Sequence, residues 1–263
     1  MKPDYNNWVP KWLLTVSAVL TAVFFILFLI FGVLDNFVEG TVRTVLGTAF
    51  FILFIVFLVM TLWYRYARGQ FSYDGKRKLA KDIIEFTAEH VDIKDGGKGL
   101  DIGCGSGALA IAVAKRNPDA KIIGLDRWGT EYSNFNKNLC EKNAAAEGVS
   151  NTEFVRGDAV KLDFPDESFD SVFSNYVYHN IKGKDRQELL LETLRVLKKG
   201  GTFAIHDLFT KHNYGDMDEF AEKLKKMGYQ KVELIDTANG SPMEKSEARK
   251  LLLSGSKLLY GIK

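Results

Sequence analysis

The chain has 263 residues, a formal net charge of +2 and 46% hydrophobic residues. That length suits one α/β domain plus something smaller. The near-neutral balance gives no electrostatic footprint for nucleic acid, so no nucleic-acid partner is expected. Its two cysteines, Cys104 and Cys140, have no metal-type spacing, which excludes a disulfide framework and leaves no expected metal site.

The first quarter is intensely apolar. Trp12 to Leu34 and Thr44 to Tyr64 carry no charged residue, and each is long enough as a helix to cover the roughly 30 Å of a bilayer's hydrocarbon core. The short polar linker from Asp35 to Arg43 predicts an antiparallel helical hairpin. Small residues on both runs, Ser17, Ala18, Thr21 and Ala22 against Gly47, Thr48 and Ala49, allow close approach. Trp8, Trp12, Trp63, Tyr64 and Tyr66 form a candidate aromatic belt at one face. Lys2 and Lys11 precede the first run, and Arg65, Arg68, Lys76, Arg77 and Lys78 follow the second, while the loop sets Arg43 against Asp35 and Glu39. The positive-inside rule then predicts a multi-pass cell-membrane protein with both termini and the following domain cytoplasmic. A cleaved signal peptide fits less well, because the first run is long, lacks a small-x-small exit and is followed by a second. A buried soluble hairpin is the other reading. The segments so defined are 1–11 (cytoplasmic), 12–66 (the hairpin, with the lipid bilayer as partner), 67–97 (linker and entry helix) and 98–263 (the soluble domain).

Residues 67–75 (ARGQFSYDG) form a polar and aromatic linker in which Phe71 and Tyr73 either pack the domain edge or cover a pocket. Lys76 to His90 has the apolar spacing of an amphipathic helix, with His90 as a carboxyl-terminal cap. From Lys98 onward strand and helix patterns alternate, which predicts a mainly parallel sheet covered on both faces. Strands are expected at 98–102, 121–125, 152–156, 169–174, 202–206, 231–235 and 257–262. Helices are expected at 108–116, 131–147, around 189–197, around 217–227 and within 244–253. The last two strands lack a crossover helix between them and should be antiparallel neighbours.

The first strand runs into LDIGCGSG, residues 100–107. Gly103, Gly105 and Gly107 at alternate positions suit a turn that a ligand approaches closely, opening a helix whose first amides favour an anion. The spacing is G-x-G-x-G and not the G-x-G-x-x-G of dinucleotide sites, which argues against a nicotinamide-dependent oxidoreductase. Asp101, Asp126 and Asp158 fall at the carboxyl ends of the first three strands, lining the crevice where such sheets bind ligands. Asp126 stands where ribose hydroxyls are held, Asp158 where a carboxylate accepts from an adenine amino group, with Trp128 and Ala159 beside the purine. Each aspartate alone is more often a turn or cap residue; three at matching strand ends favour a ligand.

LDIGCGSG, GLD ending at Asp126, RGDA with Asp158, FPDESFDSVFS and LRVLKKGG, in that order, resemble the motifs of class I S-adenosylmethionine-dependent methyltransferases over roughly residues 73–263. The resemblance implies a Rossmann-like, doubly wound, seven-stranded and mostly parallel sheet with an antiparallel seventh strand. It also implies S-adenosylmethionine as cofactor. Gly103, Gly105 and the nearby backbone would hold its methionine part, Asp126 its ribose, and Asp158 with Ala159 its adenine. Asp101, Cys104, Gly107, Arg127, Trp128 and Asn175 complete the cofactor set, with Cys104 a small packing group.

Residues 175–180 (NYVYHN) should sit where the transferred methyl points, making Tyr176, Tyr178 and His179 the catalytic candidates. His179 is the best general base, its ordinary pKa being near neutral; the alternative is that it only orders its loop. His206 and Asp207 end the fifth strand and also reach the acceptor side. An anchored pocket points to a small lipophilic acceptor. A protein, a soluble thiol or an amine, or an inactive cofactor-binding anchor, are the alternatives. Removing residues 1–66 is then expected to spare cofactor binding and to slow turnover of a membrane-dissolved acceptor.

Overall fold

The structure is a computed structural model that describes residues 2–34, 37–129 and 134–263. It divides into two compact units, residues 7–80 and residues 81–263 joined by the chain's start up to Asn6. The segment 1–11 that the sequence sets apart is thus split between them.

The smaller unit is a helical hairpin. Helix α1 (Lys11–Phe28) ends in a π turn at Leu29–Val33, and α2 spans Gly40–Gln70. Their apolar side chains are largely exposed, with Val19 at 56%, Ile52 at 56% and Val59 at 59%. Only a small share of this apolar surface is buried within the chain. The hairpin is held by what its faces share. Phe24 stacks on Phe57 with centroids 5.3 Å apart, and Phe28 meets Phe51 at 5.2 Å. Gly32 and Gly47 touch backbone to backbone: a Cβ on Gly47 would lie 2.7 Å from the Gly32 Cα. The helical hydroxyls are satisfied internally. Thr21 Oγ1 donates to the Ser17 carbonyl (2.8 Å), Thr61 Oγ1 to the Phe57 carbonyl (2.8 Å), and the two hydroxyls meet at 3.1 Å. Arg43 reaches back to cap the Gly32 and Val33 carbonyls at 3.3 and 2.7 Å, closing the end of the π turn. At the other end Asn7 Nδ2 donates to the Arg68 carbonyl (2.9 Å) and Trp8 packs on buried Phe71 (5.3 Å), so Phe71 is a packing residue.

Helix α3 (Leu79–Glu89) starts three residues later than its apolar pattern suggests, because Lys78 adopts φ 53°, outside the helical region. His90 Nδ1 lies 2.8 Å from the Phe86 carbonyl, at the helix end.

The larger unit is built on seven strands: β1 (Lys98–Ile102), β2 (Lys121–Asp126), β3 (Thr152–Arg156), β4 (Phe169–Asn175), β5 (Leu197–Leu208), β6 (Lys231–Asp236) and β7 (Ser256–Ile262). Their order is β3-β2-β1-β4-β5-β7-β6, with β7 antiparallel to both neighbours and the rest parallel. This is the seven-stranded Rossmann-like sheet expected from the sequence. The order reverses between β1 and β4, which places the ligand crevice at the carboxyl ends of β1, β2 and β4. Helices α4 (Ala108–Arg116), α5 (Lys137–Ala146), α6 (Arg186–Arg195), α7 (Lys211–Tyr214), α8 (Met217–Lys226) and α9 (Lys245–Lys250) complete the unit.

Helix α4 buries every residue from Leu109 to Ala114, which explains its nearly unbroken apolar sequence. Some boundaries differ from expectation, among them that at Leu197, which begins β5 and does not end the preceding helix. The helix expected over 131–147 begins at Lys137, where the Asn136 side chain caps the Leu139 amide at 2.9 Å; residues 131–133 of that expectation lie outside the described residues. Gly200-Gly201 do not turn into the fifth strand but lie within it, with a register shift against β4 between Phe169 and Ser171.

The Gly32–Gly47 contact sets the hairpin spacing. With Thr21→Cys and Thr61→Cys installed, the parent should form the 21–61 disulfide on mild oxidation, and Gly47→Leu should largely abolish it by pushing the backbones apart. Unchanged cross-linking would contradict this.

Candidate cofactor and acceptor site

The glycine turn is folded onto the end of β2. The Leu125 carbonyl accepts from the Gly103 and Cys104 amides at 2.7 and 3.1 Å, so β1 and β2 share their exit. Gly103 has φ 72°, and a Cβ there would lie 2.4 Å from Val177 Cγ2. Gly105 has φ 55°, and its Cβ position meets nothing nearer than Phe135 at 3.8 Å, so its face is open. No other residue type suits both positions.

Asp126 is the hub. Its Oδ2 accepts the Gly105 amide at 2.9 Å and its Oδ1 the Trp128 amide at 2.7 Å. One lone pair on each oxygen remains for a diol, in a carboxylate whose orientation the backbone has fixed. Trp128, at φ 45°, donates its indole N–H to the Gly105 carbonyl at 3.1 Å and so stands across the turn. Cys140 on α5 gives its thiol to the same carbonyl at 3.2 Å. Cys104 is buried, and burial pushes its thiol pKa up, so it behaves as a small apolar filler. Gly107, at φ 81°, opens α4; a Cβ there would lie 3.1 Å from Phe154 and 3.3 Å from Cys140 Cβ.

Asp101 lies beneath. It is buried, and its Oδ2 accepts the Ala110 amide (3.0 Å) in the first turn of α4. Burial lifts its pKa from 3.8 to about 8; the Ala110 bond opposes this and the Asp126 charge adds to it. Asp101 is therefore a neutral acid through most of the physiological range, a support to the turn and not an exposed charge.

Asp158 follows β3 and is exposed, its Oδ1 accepting the Val160 amide at 2.9 Å; Ala159 beside it is half-buried. The Gly157 amide donates to the Asp126 carbonyl at 3.0 Å, which sets the two turns side by side. Arg127 is exposed. These residues fit S-adenosylmethionine: an open glycine face, a pinned carboxylate for a diol, an indole wall, and a small residue with a carboxylate where the purine would end.

The residues expected to face the acceptor lie at the carboxyl ends of β4 and β5. Tyr178 is removed from this set. That side chain is fully buried in the core, its hydroxyl 2.5 Å from Thr193 Oγ1 on α6, because the single turn at Tyr178–Asn180 points it inward. Tyr176 and His179 remain. Tyr176, at φ 55°, sets its hydroxyl 2.5 Å from Ser256 Oγ, and burial pushes its phenol pKa up, so it can only be a proton donor or an aromatic wall. Its ring lies 4.7 Å from that of His206.

His206 is fully buried. Nδ1 lies 2.8 Å from Asn175 Oδ1, and Nε2 lies 2.7 Å from Thr237 Oγ1 and 3.1 Å from Ser256 Oγ. Burial takes its pKa down to about 3, so it is a neutral structural imidazole, and Asn175 is spent on orienting it. His179 is different. It is half-buried, and its Nδ1 lies 2.6 Å from Oδ1 of the fully buried Asp207. Asp207 is itself fixed by amide N–H groups: Leu208 (2.6 Å) on Oδ1, and Tyr178 (2.8 Å) and His179 (3.4 Å) on Oδ2. A carboxylate on Nδ1 selects the tautomer in which Nε2 carries the lone pair. Ser256 and Thr237 escaped sequence reasoning because they come from the far end of the chain with no motif around them.

Residues 100–205 match the profile of a methyltransferase domain family. The chain is 33% identical over 173 residues to the sterol 24-C-methyltransferase ERG6A of Gibberella zeae, covering 63% of this chain and 43% of that protein. It is also 33% identical over 128 residues to the demethylmenaquinone methyltransferase of Geobacillus stearothermophilus, covering 47% and 49%. The chain thus spans about half the length, or less, of these curated relatives. Among solved structures the [4+2]-cyclase SpnF superimposes with a TM-score of 0.55 at 19% identity, over 71% of this chain and 82% of that one. That likeness shows the fold, and a fold does not by itself decide a reaction.

Two measurements check this assignment. Between pH 4 and pH 8 the folded chain holds on Asp101 a proton that the unfolded chain has released, so this group's contribution to stability falls as pH rises through that window. Denaturant titrations at pH 5 and pH 8 should show a smaller loss of stability in Asp101→Asn than in the parent. Tyr178→Phe should lower unfolding stability by about 1 kcal/mol and leave the affinity for S-adenosylhomocysteine unchanged; a large fall in that affinity would return Tyr178 to the site.

Proposed function

We propose, from the premise that residues 100–205 are an S-adenosylmethionine-dependent methyltransferase domain, that this chain moves the cofactor's methyl group onto a small lipophilic acceptor at the cytoplasmic membrane face. One observation carries the finer part of this reading: a hairpin whose apolar side chains are exposed along both helices precedes a domain with a methyltransferase cradle. Two apolar helices of sufficient length, an aromatic cluster at one end, and basic residues before the first and after the second support a hairpin that spans the bilayer with both termini inside. Anchoring raises the effective concentration of an acceptor dissolved in the same leaflet. The names of the relatives above, a sterol and a menaquinone methyltransferase, are in keeping with an acceptor of that class.

The cofactor supplies an activated methyl on a sulfonium. The chain's own task is to hold the donor, align the acceptor and keep water out. Asp126 would hold the donor by its ribose hydroxyls, and Asp158 with Ala159 would meet its adenine. Trp128 walls the turn, and Tyr176 walls the acceptor side. His179 Nε2 takes a proton from an acceptor hydroxyl or acidic carbon, and Asp207 holds the imidazole in the tautomer that can do so. Charge would balance, because His179 takes up the proton the acceptor gives up in exchange for the transferred methyl.

The deciding experiment uses the full chain in phosphatidylethanolamine–phosphatidylglycerol vesicles with methyl-labelled S-adenosylmethionine and a bacterial lipid extract. Label should enter the organic phase with equal formation of S-adenosylhomocysteine. His179→Asn should lower that rate about 100-fold or more while cofactor affinity holds. Label found only on protein or on added thiol would overturn the lipophilic acceptor. A His179→Asn rate equal to the parent's would overturn the base.

A further inference from the structure

The first residues of the chain are built into the cofactor domain. Asn143 on α5 is buried at 2% exposure, and every polar atom of its side chain is used. Its Oδ1 accepts the Asp4 amide at 2.8 Å. Its Nδ2 donates to the Asp4 carbonyl at 2.9 Å and to the Ser106 carbonyl at 3.0 Å. One side chain therefore pairs with the strap backbone as a neighbouring strand would and ties it to the glycine turn. Tyr5 is nearly buried, with its hydroxyl 3.3 Å from Glu147 Oε1 on the same helix; the other oxygen of Glu147 pairs with Lys115 on α4 at 2.5 Å. Asn6, at φ 56°, has its amide on Asp4 Oδ1 (2.9 Å) and donates Nδ2 to the Asn134 carbonyl at 3.1 Å. The next residue, Phe135, is the side chain that faces the open side of Gly105.

The strap, Asp4–Asn6, thus reaches the glycine turn indirectly, through Asn143 to the Ser106 carbonyl, and bonds directly to Asn134, the neighbour of Phe135. We propose that Asp4–Asn6, latched by Asn143, is a positioning element of the cofactor site, and that strap docking and cofactor binding reinforce one another. This rests on the S-adenosylmethionine reading above. The coupling is reciprocal: whatever affinity the docked strap adds to the cofactor, the bound cofactor returns as strap order. It also revises the expectation for a chain lacking residues 1–66, which loses its strap along with its hairpin. Such a chain binds cofactor more weakly for a reason unrelated to membranes. Only four residues separate Asn6 from the start of α1 at Lys11.

The test uses the full-length chain in detergent, with S-adenosylhomocysteine as the probe. Asp4→Pro removes the amide that donates to Asn143, together with the carboxylate that holds the Asn6 amide, and leaves the side chains of residues 81–263 in place. Asn143→Leu removes the latch from the other side at similar size. Calorimetric titration should show the dissociation constant rising about tenfold in each, close to 1.4 kcal/mol. In the parent, hydrogen exchange of the peptide covering residues 2–8 should slow when the probe is bound, and this slowing should shrink in Asp4→Pro. If both variants bind within twofold of the parent and exchange at residues 2–8 ignores the probe, the coupling is overturned, whatever their unfolding temperatures. If the parent itself fails to bind, the cofactor reading is what falls, and the strap proposal with it.

Discussion

The site depends on one carboxylate held by two amides. Asp126 ends β2, takes the Gly105 amide on one oxygen and the Trp128 amide on the other, and so locks the glycine turn to the strand beside it. Both bonds are charge-assisted and cannot be made unless the chain on either side adopts left-handed backbone, at Gly105 (φ 55°) and Trp128 (φ 45°). A non-glycine residue in that region carries a conformational cost, and its presence beside a site is what a pre-organised pocket looks like. The lock works only because the sheet places β1 and β2 in parallel register, Asp101 opposite Gly124 and Ile102 opposite Leu125, so that the two exits coincide. Asp101 then supports the start of α4 from below without adding a second charge, since burial keeps it protonated.

Across the crevice the protein separates two histidines that the sequence presents as near equals. Both lie at the carboxyl ends of inner strands, and each has a polar partner. His206 bonds Asn175, Thr237 and Ser256, all neutral, and its burial away from water outweighs the neighbouring Asp207 charge, so the imidazole sheds its proton. His179 is half-open and bonded to a buried carboxylate, the arrangement that makes a base directional. The difference arises from partners contributed by β5, β7 and the turn after β6, all remote in sequence. Tyr176 is spent on the first of these clusters and Asp207 on the second.

The alternation of strand and helix, the antiparallel pairing of the last two strands and the positions of the three strand-end aspartates were readable from local pattern, connection and motif, whereas the strand order was not. What was not readable depended on single backbone conformations or on long-range pairing. Lys78 and its left-handed turn shorten α3; Gly200 and Gly201 sit inside β5 where they look like a turn; and Tyr178 faces Thr193 because one 3₁₀ turn rotates it inward. Spacing alone put Tyr176, Tyr178 and His179 together, yet three side chains in four residues cannot all face one pocket once the chain turns. Asn143 had no signal at all, since a buried asparagine in a helix is indistinguishable from a surface one until its partners at residues 4 and 106 are known.

Methyl transfer from a sulfonium needs little acid–base help when the nucleophile is a thiolate or an amine, so a buried Asp207 fixing His179 would be an expense without a function for such acceptors. Holding a fully buried carboxylate costs stability unless its lone pairs are filled, and here three amides and an imidazole fill them. The arrangement makes chemical sense for an acceptor that must lose a proton, from oxygen or from carbon, as it gains the methyl. Such acceptors, when lipophilic, are dilute in water and concentrated in a bilayer, and the proposed anchoring would suit a hairpin whose threonine hydroxyls bond to its own carbonyls and whose valines and isoleucines are largely exposed. Under the proposed function, the His179–Asp207 pair and the apolar hairpin, which lie in different parts of the chain, are both in keeping with a lipophilic acceptor that loses a proton.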